Sequence, residues 1–195
     1  MTEPGRAAGP REVDHRWRID EMPANVEIGA DVVLTGSKAF ARFFGEHSGA
    51  LRIGDRSIMD GVRFGVGPSG KITIGSDCRF SDAVILAEEA VTIGDRVMLG
   101  WNTTVADSDF HPVEPSARRL DAEAVSPLGY QRERPSTAPR PVTIGSDTWV
   151  GPNAVILKGV EIGEGCFIEP GSVVTDDIPA RRRVLGNPAV VVETL

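Results

Sequence analysis

The chain has 195 residues, a length that favours a single domain with a sizeable core. Although 41% of the residues are hydrophobic, only 6% are aromatic, so aliphatic side chains must fill that core. The formal net charge of -7 argues against a nucleic-acid partner. The sequence contains no run of eighteen apolar residues, the length that would predict a membrane span.

The first 24 residues lack the apolar core of a signal peptide and show no repeat. We expect them to form an arm that is loose or docks on a neighbour, in a cytoplasmic protein. Weak six-residue repeats follow, with phases that start at Ile28, Ile53 and Ile74. Residues 35–50 interrupt these repeats, and their phenylalanines are expected to close the end of the repeat structure or a subunit contact.

A regular run starts at Ile93 and ends at the segment DSDFH, residues 107–111. It reads IGDRVM, LGWNTT, VADSDF, so His111 occupies a position that aliphatic residues fill in the preceding units. One interpretation is a histidine that caps the core. The other is a general base, because Pro112 removes a backbone N–H where the repeat stops and imidazole accepts protons near neutral pH.

Carboxylates surround this histidine in the sequence. Asp109 lies two residues before His111, so both side chains leave the same side of an extended chain, and Asp109 is expected to fix the imidazole tautomer. The alternatives are a solvated loop acid at Asp109, and Asp107 as the orienting carboxylate or as an acceptor contact. His15 and His47 show no spacing that brings them to His111, so no metal site is predicted.

Residues 113–140 carry Pro, Ser and mixed charge without a six-residue phase. Loops this long inside compact proteins are usually functional or disordered. The stretch SARRLDAEAV is compatible with a helical turn. We therefore predict a long inserted loop between the two regular runs.

The clearest repeat starts at Ile144 and reads IGSDTW, VGPNAV, ILKGVE, IGEGCF, IEPGSV, VTDDIP. An aliphatic residue leads every unit, and the fifth place of the first five units is small or β-branched. A helix requires apolar spacings of three and four, and a two-sided strand requires alternation, so neither fits. A period of six predicts an all-β fold, a parallel β-helix in which three short strands make one triangular turn of about eighteen residues.

These repeats resemble the left-handed parallel β-helix of the hexapeptide acyltransferases. The stretch 141–192 is similar to the end of the sugar and xenobiotic O- or N-acetyltransferases that binds the acyl donor. With VTIGDRVMLGWNTTVADSDFHP the resemblance covers roughly residues 74–192. It implies a β-helix domain at 25–192 with 113–140 inserted, a tail at 193–195, and a homotrimer with sites between subunits.

In that family a histidine at this place takes the proton from the hydroxyl or amine of a small polar acceptor such as a sugar, which implies this role for His111. The resemblance also implies acceptor contacts at Asp82 and, from the inserted loop, at Tyr130. An acyl-CoA would lie along the final coils, and a backbone amide near Ala154 or Gly171 would hold the oxyanion. The residues expected to bind this acyl donor are Trp149, Gly151, Ala154, Gly171, Ser172, Arg181, Arg182, Arg183 and Asn187.

Three residues depart from the family's pattern in the acyl-donor groove. Pro152 and Pro170 have no N–H to give to coenzyme A, and Asp176 replaces a lysine that helps to bind phosphate. The arginine run at 181–183 either supplies that contact or is a solvated turn. These departures indicate either a rearranged site, for acyl-CoA or an acyl carrier protein, or an acyl-donor site that has been lost.

The sequence thus predicts a trimeric acyltransferase that moves an acetyl or related acyl group from a thioester to a small polar acceptor. Two alternatives stay open. The first is an enzyme on the same scaffold that uses His111 for other acid-base chemistry without coenzyme A, and the second is a non-catalytic trimeric scaffold.

Overall fold

A computed structural model describes residues 22–36, 38–126 and 133–195. Almost all of the expected N-terminal arm, and Tyr130 in the insertion, lie outside these ranges. One helix, α1 (Pro115–Ala124), lies in the insertion. The strands, numbered in chain order, are β1 Val26–Ile28, β2 Val33–Leu34, β3 Arg42–Phe43, β4 Leu51–Ile53, β5 Ile58–Asp60, β6 Arg63–Val66, β7 Lys71–Ile74, β8 Arg79–Ser81, β9 Val84–Ala87, β10 Ala90–Ile93, β11 Met98–Leu99, β12 Thr104–Ala106, β13 Val142–Ile144, β14 Trp149–Val150, β15 Val155–Ile156, β16 Glu161–Ile162, β17 Phe167–Ile168, β18 Val173–Val174, β19 Arg182–Gly186 and β20 Ala189–Thr194.

Three parallel sheets run along the molecule, because each strand from β1 to β15 pairs with the strand three places further along the chain. Sheet A has the order β1-β4-β7-β10-β13-β16, and sheet C has the order β3-β6-β9-β12-β15-β18. Sheet B has the order β2-β5-β8-β11-β14-β17-β19-β20, and only its last pair is antiparallel. This topology confirms the predicted parallel β-helix.

The core is a set of aliphatic columns, one for each sheet. Parallel register places equivalent repeat positions next to each other, as where Ile93 pairs with Ile144 and Ile144 with Ile162. Burying one such side chain contributes about 1.5–3 kcal/mol, so a chain with few aromatic residues can be stable in this fold. The residues at the leading and fifth positions of the last repeat run are buried, as predicted: Ile144, Thr148, Val150, Ala154, Ile156, Val160, Ile162, Cys166, Ile168, Ser172 and Val174.

One corner of the β-helix, between sheets A and B, carries charges of alternating sign. Asp31, Arg56, Asp77, Arg96 and Asp147 stack there in successive coils, each with φ between 54° and 61°. Arg56 Nη2 lies 2.7 Å from Asp77 Oδ2, and Arg96 Nε lies 2.6 Å from Asp147 Oδ1. Because these pairs are exposed to solvent, each contributes little to the stability of the fold.

The C-terminal strands form a hairpin that closes sheet B. Glu193 pairs with Arg183, Thr194 with Arg182, and the N–H of Leu195 donates to the carbonyl of Arg181. The expectation of a tail at 193–195 is therefore wrong, since these residues complete the hairpin. Within the three described ranges, no helix is long and apolar enough to cross a membrane.

Candidate functional site

His111 lies where the chain leaves the β-helix after strand β12. Its side chain is 57% exposed, so the ring does not cap the core even though it follows the six-residue spacing. Its Nδ1 atom lies 2.5 Å from Oδ2 of Asp121. Residues that the sequence separates by ten positions therefore meet in the insertion.

Helix α1 places Asp121 against the histidine. Glu114 caps its N-terminus, since the side chain accepts hydrogen bonds from the N–H groups of Ser116 at 2.7 Å and Ala117 at 3.0 Å. Pro115 occupies the first turn, where no intrahelical partner for an N–H is needed. Asp121 and Ala124 are the buried residues of the helix, so the carboxylate belongs to its inner face.

The carboxylate of Asp121 is fully buried and doubly bound. Nε of Arg134 donates to its Oδ1 at 2.7 Å, and Nη2 of the same arginine donates to the carbonyl of Phe110 at 3.0 Å. The hydrogen bond from Arg134, and then that from His111, lower the pKa of Asp121. An ionised carboxylate only accepts, so Nδ1 of His111 must carry the proton and Nε2 of the neutral ring is the free base.

The predicted contact between Asp109 and His111 is wrong. Phe110 between them has φ 62°, and the N–H of His111 donates to the carbonyl of Asp109 at 2.7 Å, so the chain is turned there rather than extended. The two side chains consequently diverge. Nζ of Lys158 binds the Asp109 carboxylate at 2.5 Å and so attaches the insertion to the coil after strand β15.

Asp107 is a structural residue in this fold, so the expectation of an acceptor contact is also wrong. Its side chain is fully buried, and its two oxygens accept from the N–H groups of Glu88 at 2.8 Å and Glu89 at 2.7 Å. Burial raises the pKa of this carboxyl more than these hydrogen bonds lower it. Asp107 therefore fixes the turn between strands β9 and β10.

A pocket of about 370 Å³ opens beside the histidine, and we call it the base pocket. It lies between the insertion and the outer face of sheet C. Burial raises the pKa of Glu88, which lies in its wall. Asp82 lies at another corner, outside this pocket. The side chains that line the base pocket include Arg42, Phe44, Leu86, Glu88, Phe110, His111 and Arg134.

The backbone amides expected to serve the acyl donor are used within the β-helix. The N–H of Gly151 donates to Ile168, that of Ala154 to Gly151, and that of Gly171 to Pro152. Gly151 and Ala154 are also buried. The expectation that an amide at Ala154 or Gly171 holds the oxyanion is therefore wrong, because both N–H groups already have carbonyl partners.

Other residues of the expected acyl-donor site differ in accessibility. Ser172 is fully buried, with its Oγ accepting from the N–H of Gly186 at 3.2 Å, so it too belongs to the core. Trp149 is half-buried and packs against the ring of Phe167, with centroids 4.4 Å apart. Gly171 and Asn187 are exposed.

The arginine run at 181–183 is only partly available. Arg183 is bound by Glu169 and Glu193, and Arg182 donates to the carbonyl groups of Ala180 and Arg181. Arg181 is exposed and approaches a carboxylate only at 4.0 Å. Two of the three guanidinium groups therefore have partners inside the chain.

Sequence reasoning missed Asp121 and Arg134. A signal for Asp121 was present, because Ala117, Asp121 and Ala124 have the spacing of one helical face, and a carboxylate between two alanines marks that face. Arg134 lies in a segment without secondary structure and gave no such signal. Across the part of the chain that the structure describes, no group of three or more His, Cys, Asp or Glu side chains could hold a metal ion.

Parts of the chain are similar in sequence to known transferases. The family model described as "Bacterial transferase hexapeptide (six repeats)" matches residues 141–176. The chain is 34% identical to the galactoside O-acetyltransferase of Escherichia coli (strain K12) over 111 residues, which are 57% of this chain and 47% of that protein. The chain spans less than half the length of the curated relatives it matches.

Two solved structures extend the likeness to more of the chain. A hexapeptide-repeat acetyltransferase from Vibrio cholerae O1 biovar eltor, complexed with acetyl coenzyme A, has a TM-score of 0.59 and 29% identity, over 73% of this chain and 70% of that one. A galactoside acetyltransferase in complex with coenzyme A has a TM-score of 0.55 and 32% identity, over 68% of this chain and 58% of that one.

Proposed function

Because part of the chain matches the hexapeptide-repeat transferase model and its fold is similar to that of a hexapeptide-repeat acetyltransferase, we propose that it transfers an acyl group from a coenzyme A thioester to a hydroxyl or amine of a small polar acceptor. Two similar solved structures hold acetyl coenzyme A or coenzyme A, which supports the thioester. The galactoside O-acetyltransferases among the similar proteins support a sugar as the acceptor.

The observation that carries this proposal is the 2.5 Å contact between His111 Nδ1 and Asp121 Oδ2. It leaves Nε2 to remove the proton from the acceptor as its oxygen or nitrogen attacks the thioester carbonyl. The buried carboxylate, held by Arg134, stabilises the imidazolium that forms. When the carbon–sulfur bond breaks, Nε2 returns that proton to the departing thiolate.

The acyl donor would lie along the outer face of the final coils. Trp149, Gly171 and Asn187 are accessible there and remain candidates for its binding. Arg181 and Arg182 are candidates for a phosphate contact, whereas Arg183 would have to exchange its two carboxylate partners. His111 is the base and Asp121 its orienting carboxylate, and the group that stabilises the oxyanion is neither the Ala154 nor the Gly171 amide.

A carrier protein is the second candidate acyl donor. Pro152 and Pro170 remove N–H groups from the groove, and Asp176, hydrogen-bonded to Thr175 Oγ1 at 2.7 Å, places a negative charge where a phosphate would lie. A pantetheine arm on a protein has no 3′-phosphate and would tolerate that charge. Parallel titrations with acetyl coenzyme A, its dephospho form and an acylated carrier protein separate the two acyl donors.

We also propose that the active form is a homotrimer, with each site between two subunits. Large apolar side chains on the outer surface support this assembly, since an isolated β-helix would leave them in water. Sedimentation equilibrium should give three times the chain mass, and a monomer at micromolar concentration would contradict the proposal. These exposed residues are Met98, Trp101, Leu157, Leu185, Val190, Val191 and Val192.

The experiment that tests the chemistry is replacement of the base. Purified His111→Asn should lose turnover by about a hundredfold or more with acetyl coenzyme A and a panel of hydroxyl and amine acceptors, measured as released thiol. His47→Asn is the matched control, because His47 is also exposed and only its Nε2 approaches a carbonyl, that of Ser69 at 3.4 Å. Full activity in His111→Asn, or no turnover of any thioester by the unmodified protein, contradicts the proposal.

A further inference from the structure

Two open depressions continue from the base pocket across the outer face of sheet C. Their volumes are about 300 and 280 Å³. The first shares Arg42, Gly65 and Leu86 with the base pocket, and the second shares Lys38 and Arg63 with the first. Together they form one groove that leads away from the base, and we call it the basic groove after Lys38, Arg42 and Arg63.

The three cations of the basic groove have no acidic partner within the described ranges. Lys38, Arg42 and Arg63 are exposed, and no carboxylate there approaches their charged groups to ion-pair distance. Several other surface arginines are paired with carboxylates, as Arg56 is with Asp77. Although the chain has a net charge of -7, these three neighbouring cations make the surface of the groove locally positive.

The strand register sets the spacing of the two arginines. Arg42 pairs directly with Gly65, and Arg63 lies two residues earlier on the same outward face of strand β6. A strand separation of about 4.8 Å and a rise of about 3.3 Å per residue put their Cα atoms roughly 8 Å apart. The side chain of Leu86 lies over Gly65, so a common anionic group would be held by the two long guanidinium side chains above this apolar residue.

The floor of the basic groove is apolar, whereas its far end is polar. Val84 and Leu86 are half-buried and form an apolar floor between the cations. Asp82 and Asn102 lie at the far end, beside Lys38 and Arg63. Guanidinium groups prefer bidentate contacts with phosphate or carboxylate, and an apolar floor excludes water from them.

We propose that the basic groove binds a phosphate group of the acceptor, so that the reacting hydroxyl or amine of a phosphorylated molecule is presented to His111. This assignment of substrate class rests on the acyl transfer proposed above, but the binding site does not. Arg42 and Arg63 are the residues that hold the phosphate, with Lys38 adding positive charge at the far end.

The test measures anion binding separately from catalysis. The unmodified protein is titrated calorimetrically with inorganic pyrophosphate, alongside Arg42→Gln/Arg63→Gln and the control Arg79→Gln. Arg79 is exposed, lies on sheet B and has no ion-pair partner among the described residues, so it removes a cation outside the groove. The double variant should weaken binding by at least tenfold, the size of one charge-assisted hydrogen bond, and Arg79→Gln by less than twofold.

The outcomes separate the two proposals. Saturable pyrophosphate binding that is lost only in the double variant supports the groove, even if no thioester is turned over. Equal binding in all three proteins, or none in the unmodified one, overturns it, even if acyl transfer is found. A double variant that folds but no longer forms the oligomer of the unmodified protein would assign the arginines to a subunit contact and also overturn it. With an active enzyme, a phosphorylated acceptor should show a lower KM than its unphosphorylated form, and the double variant should remove that difference.

Discussion

Replacing Asp121 by Asn removes one charge from the insertion and almost no volume. The side chain is fully buried and accepts hydrogen bonds from His111 and Arg134. An amide offers one acceptor oxygen and one donor NH2 group in place of two acceptor oxygens, so one of the two partners must face a donor. If the amide N–H turns to the imidazole, Nδ1 becomes the acceptor and the proton moves to Nε2, the atom that has to act as the base.

The size of the effect follows from these two contacts. A hydrogen bond to a charged group contributes about 1.5–3 kcal/mol, and the partners, 57% and 43% exposed, place both bonds at the low end. We therefore expect Asp121→Asn to weaken closure of the insertion by about 2 kcal/mol. Turnover should fall by about 10²–10⁴-fold, the range for loss of a correctly protonated base.

The pH dependence has a defined sign. Arg134 and His111 lower the pKa of Asp121, so its stabilisation is complete above the pKa of an unfolded aspartate, about 3.9. It is lost as the pH falls through the lower pKa of the folded state. The stability difference that this carboxylate creates between the unmodified protein and Asp121→Asn should therefore shrink below about pH 4.

Three measurements check this prediction. Nitrogen-15 spectra of His111 report the tautomer, hydrogen exchange in 110–125 reports closure of the insertion, and released thiol reports turnover. The expected result is a shift of the proton from Nδ1 towards Nε2 together with faster exchange and slower turnover. An unchanged tautomer with full turnover would refute the role given to Asp121.

Two further predictions concern stability. Asp107→Ala leaves the N–H groups of Glu88 and Glu89 without their acceptor, so the free energy of unfolding should fall by about 2–4 kcal/mol in urea titrations, and an unchanged midpoint would show that water replaces the carboxylate. Arg96→Ala breaks its exposed pair with Asp147 and should lower the urea midpoint only slightly, with the difference vanishing at 1 M salt; a large or salt-independent shift would contradict a screened surface pair.

The coil architecture could be predicted because it repeats. One strand sets its neighbour's register, so Ile144 and Ile162, three six-residue units apart, both face the core, and a count along the sequence finds them. The same count failed at His111, which keeps the spacing but leaves the core. The six-residue spacing no longer predicts a core-facing side chain there, since Phe110 takes a positive φ and the chain turns outward.

The sequence pointed to His111 as a candidate base but not to the residues that contact it. Its partner, Asp121, is set by how helix α1 packs in the insertion, and no local rule gives that packing from the sequence. The prediction of Asp109 was wrong because side chains two residues apart lie on the same side of the chain only when the chain is extended. The expectation for the acyl-donor amides was wrong for another reason. A period of six does not tell which N–H groups are already hydrogen-bonded within the β-helix, as that of Ala154 is to Gly151 and that of Gly171 is to Pro152.

The corner column from Asp31 to Asp147 constrains how this molecule can change in length. Its signs alternate coil by coil, and each guanidinium lies between carboxylates of the coils above and below, as Arg96 does between Asp77 and Asp147. Loss or duplication of one coil brings two like charges together at the junction. Loss or duplication of two coils restores the alternation, so insertions and deletions in this half of the chain should be tolerated best as pairs of coils.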